Sequence, residues 1–212
     1  MKHFERGKYD MKKLMFAVCA AALAAGAWAK ETTPACEFDE NPHWTPVAVS
    51  LWPGLEYPAS DWSVTGLRFG LFAARHEDVL FLSASSFADL VTDNVNGLQV
   101  AGLCNHAGRS TGAVQMAGCV NSIGSDFAGV QVSGLYNSVS GTMSGLSVAL
   151  LTKAETVDGL QVGIFNKTKV LNGVQVGVIN LAGESDGGIQ LGVVNVMKDA
   201  AYPVMPVFNV GF

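Results

Sequence analysis

Hydrophobic and polar positions alternate along the second half of the chain in a short unit that recurs. Gly97-Leu98-Gln99-Val100-Ala101-Gly102-Leu103-Cys104-Asn105 is the first clear copy. Residues 113–121 (AVQMAGCVN) and 129–137 (GVQVSGLYN) repeat it, and these three copies carry one extra small residue before the second glycine. Residues 145–152 (GLSVALLT) are a degenerate copy, with Ser147 and Thr152 at the Gln and Asn positions. Residues 159–166 (GLQVGIFN), 173–180 (GVQVGVIN) and 188–195 (GIQLGVVN) complete the series. From Gln99 through Gln115, Gln131, Ser147, Gln161 and Gln175 to Gln190 the steps are 16, 16, 16, 14, 14 and 15 residues. Residues 66–71 look like an earlier copy centred on Arg68, which lies 31 residues before Gln99 and leaves room for one diverged unit. Such self-similarity is the signature of a repeat architecture.

Period-two alternation rich in Val and Ile predicts a strand at each copy. The stretches between copies are patterned too. Two residues past the Asn position stand Ala107, Ile123, Val139, Ala154, Thr168, Ala182 and Met197. A second small or apolar residue follows at Thr111, Phe127, Met143, Val157 and Leu171, with Ser185 weaker. Each unit therefore reads as one strong strand, a corner at Asn, one weaker strand and a corner at Gly.

Two all-β architectures use such a unit. In a parallel β-solenoid of 14–16-residue coils with capped ends, like residues stack about 4.8 Å apart. The apolar residues of both half-coils would point inward, and the amides would form ladders. In an antiparallel up-and-down outer-membrane β-barrel, the Val/Leu/Ile face would meet lipid and the Gln/Gly face would line the lumen. Three features favour the solenoid. The intervals are even, whereas membrane barrels alternate short and long loops. The motif offers about eight residues, short of the ~9–11 of a spanning strand. The apolar pair in each linker suits a second half-coil, not a surface turn. The barrel draws on the ending, where Phe208, Val210 and a terminal Phe212 alternate.

The first 29 residues look unlike the rest. Met11-Lys12-Lys13 begins a basic region, residues 14–25 are almost wholly apolar, and Ala27-Trp28-Ala29 has the small-x-small form of a cleavage site. Residues 1–29 are therefore expected to be a signal peptide, with 1–10 an extension from an upstream start. Cys19 follows Val18, which is larger than the residue expected before a lipidated cysteine. The predicted organisation continues with an N-terminal segment and cap at 30–60, a repeat domain at 61–197 and a capping tail at 198–212. Pro203 and Pro206 suit the tail, because proline cannot donate to a further strand.

Charge narrows the function. The leader holds five of the 13 basic residues and two of the 18 acidic ones, so the formal −5 becomes eight bases against sixteen acids without it. No basic cluster remains, which excludes the footprint of a nucleic-acid binder. Cys36, Cys104 and Cys119 are an odd set with no metal-ligand spacing. Cys104 directly precedes its Asn and Cys119 lies two before its own, so register argues against a disulfide between them. His43, His76 and His106 stand in unrelated contexts. The acids Asp126, Glu155, Asp158, Glu184 and Asp186 fall in corners, and the Gly-Gly-x-Gly-x-Asp repeat of calcium-binding rolls is missing. No nucleophile elbow and no phosphate loop is present.

The chain resembles bacterial surface-repeat proteins of the leptospiral type. The resemblance covers roughly residues 46–212. It rests on residues 46–53 (PVAVSLWP), on 61–71 (DWSVTGLRFGL), on the Gly-Leu-Gln-x-Gly-Leu-x-Asn repeats, and on the proline-containing tail ending in Phe212. It is weakest at 145–152 and in the diverged stretch 76–96. It implies an exported, surface-associated protein and supplies no catalytic residues.

The expectation is an exported, non-enzymatic surface or envelope protein with a structural, adhesive or interaction role and no cofactor. Outer-membrane or cell-surface components are its expected partners. Gln99, Gln115, Gln131, Gln161, Gln175 and Gln190 would present a regular interaction face. Asn105, Asn121, Asn137, Asn166, Asn180 and Asn195 would form a structural corner ladder. A small outer-membrane barrel, as pore or anchor, is the alternative. An exported carbohydrate-active enzyme on a solenoid comes third, for want of a column of acids.

Overall fold

The computed structural model of the protein describes residues 44–52, 55–57, 62–76 and 78–211. The expected leader with its cleavage site, Cys36, His43 and the terminal Phe212 lie outside the described residues. Every regular element among the described residues is a strand. In order these are β1 (Trp44–Trp52), β2 (Leu55–Tyr57), β3 (Ser63–Gly70), β4 (Ala73–His76), β5 (Leu82–Ser85) and β6 (Ala88–Val95). They continue with β7 (Leu98–Ala101), β8 (Cys104–Ala117), β9 (Val120–Ile123), β10 (Phe127–Ser133), β11 (Tyr136–Val139) and β12 (Thr142–Val148). The last are β13 (Leu151–Val157), β14 (Leu160–Leu171), β15 (Val174–Ser185), β16 (Ile189–Met197) and β17 (Val204–Val210).

Successive copies run parallel and in register. Gln161 pairs with Gln175 and Gln175 with Gln190, while Asn166 pairs with Asn180 and Asn180 with Asn195. The fold is thus a parallel β-solenoid. The up-and-down barrel is excluded, because its neighbouring strands would reverse direction at every turn.

One column runs the length of the molecule. Ala48, Arg68, Ser83, Gln99, Gln115, Gln131, Ser147, Gln161, Gln175 and Gln190 are linked pair by pair through parallel strands. Arg68 does stand at a Gln position, and the diverged unit before Gln99 is the coil of Ser83. The stacking starts earlier than residue 61, because β1 pairs in parallel with β3.

An antiparallel strand lies over each end, β17 along most of β16 at one and β2 over Val49 to Trp52 of β1 at the other. Pro206 falls where the β16–β17 register shifts between Gly192 and Asn195. A shifted, proline-bearing edge strand offers a poor template for further pairing.

The interior reverses one sequence expectation. The apolar core is made mainly by the linkers, and of the motif copies only Ala113 enters it. Ala107, Ile123, Val139, Ala154, Ala182 and Met197 lie in it beside Phe127, Met143, Val157 and Leu171. In the first full coil Ser110, not Thr111, faces Phe127, because that coil carries an extra residue before Ala113. The motif's Val and Leu residues point outward, and its amides point in.

The second glycine of each motif sits at a corner where coils nearly touch. A Cβ on Gly177 would overlap the Gly163 carbonyl oxygen and the Asn166 side-chain amide. Only glycine lets the backbone pass the coil beneath while the Asn ladder fills the corner.

Candidate functional site

Inside the solenoid the twelve expected amides form two ladders. Gln115 Nε2 donates to Gln99 Oε1 at 2.7 Å, and Gln131 Nε2 to Gln115 Oε1 at 3.2 Å. Gln175 donates to Gln161 at 2.8 Å, and Gln190 to Gln175 at 2.9 Å. Each bond points to the preceding coil. The Asn ladder points the other way. Asn105 Nδ2 donates to Asn121 Oδ1 and Asn121 to Asn137, both at 3.0 Å. Asn166 donates to Asn180 and Asn180 to Asn195, both at 2.8 Å. The side-chain dipoles of the two ladders therefore run in opposite senses along the axis. The Asn amides also donate to backbone carbonyls of the next coil, such as Met116 O at 2.8 Å and Val176 O at 2.9 Å. They tie corner to corner as well as side chain to side chain.

The Asn residues therefore do the corner work expected of them. The Gln residues do not form a surface. All six are at most 1% exposed. The expected interaction face is corrected to an internal ladder. Each amide has a like amide one coil away, so burial leaves most of the hydrogen bonds made; Asn105 Oδ1, Gln131 Oε1 and Gln190 Oε1, where a ladder starts or stops, are the exceptions.

Both ladders falter in one coil. Ser147 is too short to reach Gln131, whose Oε1 is left without a partner. Asn137 turns to Ser147 Oγ at 3.0 Å, and Thr152 Oγ1 restarts the Asn ladder by donating to Asn166 at 2.6 Å. The break coincides with the change from 16-residue to 14-residue steps.

Near the N-terminal end the columns carry charge. Arg68, in the Gln column, pairs with Asp89, in the Asn column, and both side chains are fully buried. Ser83 lies between them, accepting from Arg68 Nε at 2.8 Å and donating to Asp89. Burial pulls the Arg68 guanidinium below its ordinary range, and the Glu56 carboxylate works against that fall. The triad is a sealed charge pair in an amide stack, with no opening to a substrate. Sequence reasoning missed it because Asp89 sits in the diverged stretch. Its one signal was Arg68 at a Gln position.

The corners hold acids that brace the next coil. Asp126 accepts from Thr142 N at 2.9 Å, Asp158 from Asn172 Nδ2 at 3.0 Å, and Glu155 pairs with Lys169. At an earlier corner the Asp93 carboxyl is pushed up by burial and by Asp78, with Arg109 opposing. No group of three or more His, Cys, Asp or Glu able to hold a metal occurs among the described residues. Cys104 and Cys119 are both thiols, and Cys104 pairs with Val120 in the ladder, one residue off Cys119.

His106 is the one histidine with a readable environment. Its Nδ1 is buried without a partner, and burial lowers its pKa below 6.5. The folded state then binds this proton less readily than the unfolded chain. Stability should be fully present above pH 6.5 and fall as pH drops below it. Urea midpoints measured across pH 7.5 to about 5 check this. His106→Gln should flatten the slope, and an unchanged slope would place its origin elsewhere.

The outside of the same strands is the most unusual surface of the molecule. The residue before the central column is Val, Leu or Ile on every strand, from Val47 to Val210. The residue after it is Val, Phe, Ala, Met or Leu, from Val49 to Phe208. Met116 is 46% exposed and Phe208 47%. At the adjoining corner Leu135, Leu150, Ile164 and Val178 widen the strip, and Val193 is 66% exposed. No charged residue stands in either column. Eleven strands at about 4.8 Å make a strip roughly 48 Å long. Ordinary monomers keep their largest apolar patch near ~300–600 Å².

No family model, curated protein or solved structure matches the chain.

Proposed function

We propose that the protein is an exported, non-enzymatic envelope or surface scaffold that works by binding through its apolar β-face. The observation that carries this reading is the pair of charge-free apolar columns along eleven neighbouring strands. The signal-peptide form of residues 1–29 supports export. The resemblance to leptospiral-type surface-repeat proteins points the same way. The polar interior is consumed in its own ladders, which leaves the outer face as the surface free to act. Burying that face is worth far more than any exposed amide contact, at roughly 25 cal/mol per Å² of apolar surface.

Cell fractionation tests it. The wild type should enter the envelope fraction, while Val162→Lys with Val176→Lys should shift toward the soluble fractions with its fold intact by circular dichroism. Both half-exposed side chains point outward, so the coil tolerates lysine there. Identical partitioning of the two proteins, or retention of the wild type in the cytoplasm, would sink the reading.

A further inference from the structure

The geometry points to the occupant of this face: a second copy of the chain, packed face to face about a two-fold axis. This rests on the reading of the apolar face as the working surface. Two columns along eleven strands cover on the order of 700 Å², close to the ~800 Å² per partner of a standard interface. Apolar columns without charge, of Val, Leu and Ile on one side and of Val, Leu, Met, Ala and Phe on the other, can pack against their own copies, as a two-fold interface requires. Two such faces pack about 10 Å apart with interleaved side chains, as the sheets of a sandwich do.

Charge selects the second copy over a membrane surface. The chain is acidic, at −5 overall. Its exposed Lys153, Lys167 and Lys169 lie past the corner, beside Asn166 and Thr168, and not in the columns of the strip. An anionic lipid surface therefore meets no cation at the face, whereas a second apolar face meets no unpaired charge. Pairing through the ends is disfavoured at β17, a proline-bearing antiparallel strand over β16, and narrowed at the other end, where β2 covers Val49 to Trp52 of β1. Lateral pairing of the faces buries the larger apolar surface, and it closes at two.

β10 is the sixth of the eleven strands, so Val132 stands at the centre of the strip. A two-fold pairing that covers the whole strip brings centre near centre. The test is sedimentation of the protein expressed from its whole coding sequence and purified as the cell processes it. The wild type should sediment at twice the chain mass at micromolar concentration. Val132→Lys and Val132→Glu should each sediment at the single-chain mass, and their equimolar mixture should return to twice that mass. Met116→Lys, one strand away, serves if a Val132 variant fails to fold. A wild type at single-chain mass overturns the proposal, as does a Val132→Lys protein that still pairs. Flotation with anionic vesicles then separates the two ideas. A monomer that floats, and whose Val132→Lys form does not, removes the second copy but keeps the working face; a monomer that neither floats nor changes fractionation removes both.

Discussion

Replacing Arg68 by Gln should destabilise the fold by about 3–5 kcal/mol, the range for breaking a buried ion pair from one side. Gln is what the repeat places in this column, so a local reading would call the change harmless. The structure says otherwise, because Asp89 would remain fully buried with its counter-charge gone. Ser83 alone cannot compensate a carboxylate in that position. A stranded carboxylate takes up a proton instead, so the deficit measured by urea unfolding should be smaller near about pH 4 than at pH 7. Adding Asp89→Asn to Arg68→Gln should bring stability back to within about 1 kcal/mol of wild type. The new amide would supply a donor to Asn105 Oδ1, which lies buried without a partner and faces Asp89 across the ladder. A double variant as unstable as Arg68→Gln alone would show that the charge pair is not what holds these coils.

Much of the coil was legible in the chain, and the reasons for the exceptions are physical. The repeat spacing carried the parallel stacking, because only stacked coils keep Gln161, Gln175 and Gln190 in one register. The linker pairs carried the second half-coil, and they turned out to hold the core. What alternation cannot say is which of its two faces turns inward. Transfer free energies put Val174 and Val176 inside and Gln175 outside. Translation along the axis overrides that preference. It gives every Gln an identical neighbour at hydrogen-bonding distance, so the interior accepts amides and the aliphatics are displaced outward. Residues 46–53 read as strand-like in the sequence, but that β1 is the first stacked coil was hidden for a different reason. Pro46 occupies the place of the motif's first glycine, opposite Gly66, and nothing in residues 44–52 repeats the Gln signature. The Arg68–Asp89 pair was hidden because its partners belong to different columns, joined only once the coil closes.

The burial of the ladder has a direct energetic consequence at Gln175. Were this side chain on the surface, Gln175→Leu would change stability by no more than about 0.5 kcal/mol. Buried, it donates to Gln161 Oε1 and accepts from Gln190 Nε2. Leucine fills much of the same volume and makes neither bond. Gln161 Oε1 loses its donor outright, while Gln190 Nε2 keeps Val196 O at 3.1 Å. One fully orphaned acceptor and one weakened donor should cost about 2–3 kcal/mol together. The outward neighbour makes the control, since Val176→Thr adds a hydroxyl to a partly exposed site and should cost well under half as much. The ladder also predicts coupling. Gln161→Leu removes the acceptor that Gln175→Leu strands, so the pair should cost less than the sum of the single changes by about 1 kcal/mol. Strict additivity in that cycle would mean that the amides act singly; coupling of the expected sign would mean that the solenoid is held along its axis by bonds between like residues, leaving its aliphatic columns free to bind.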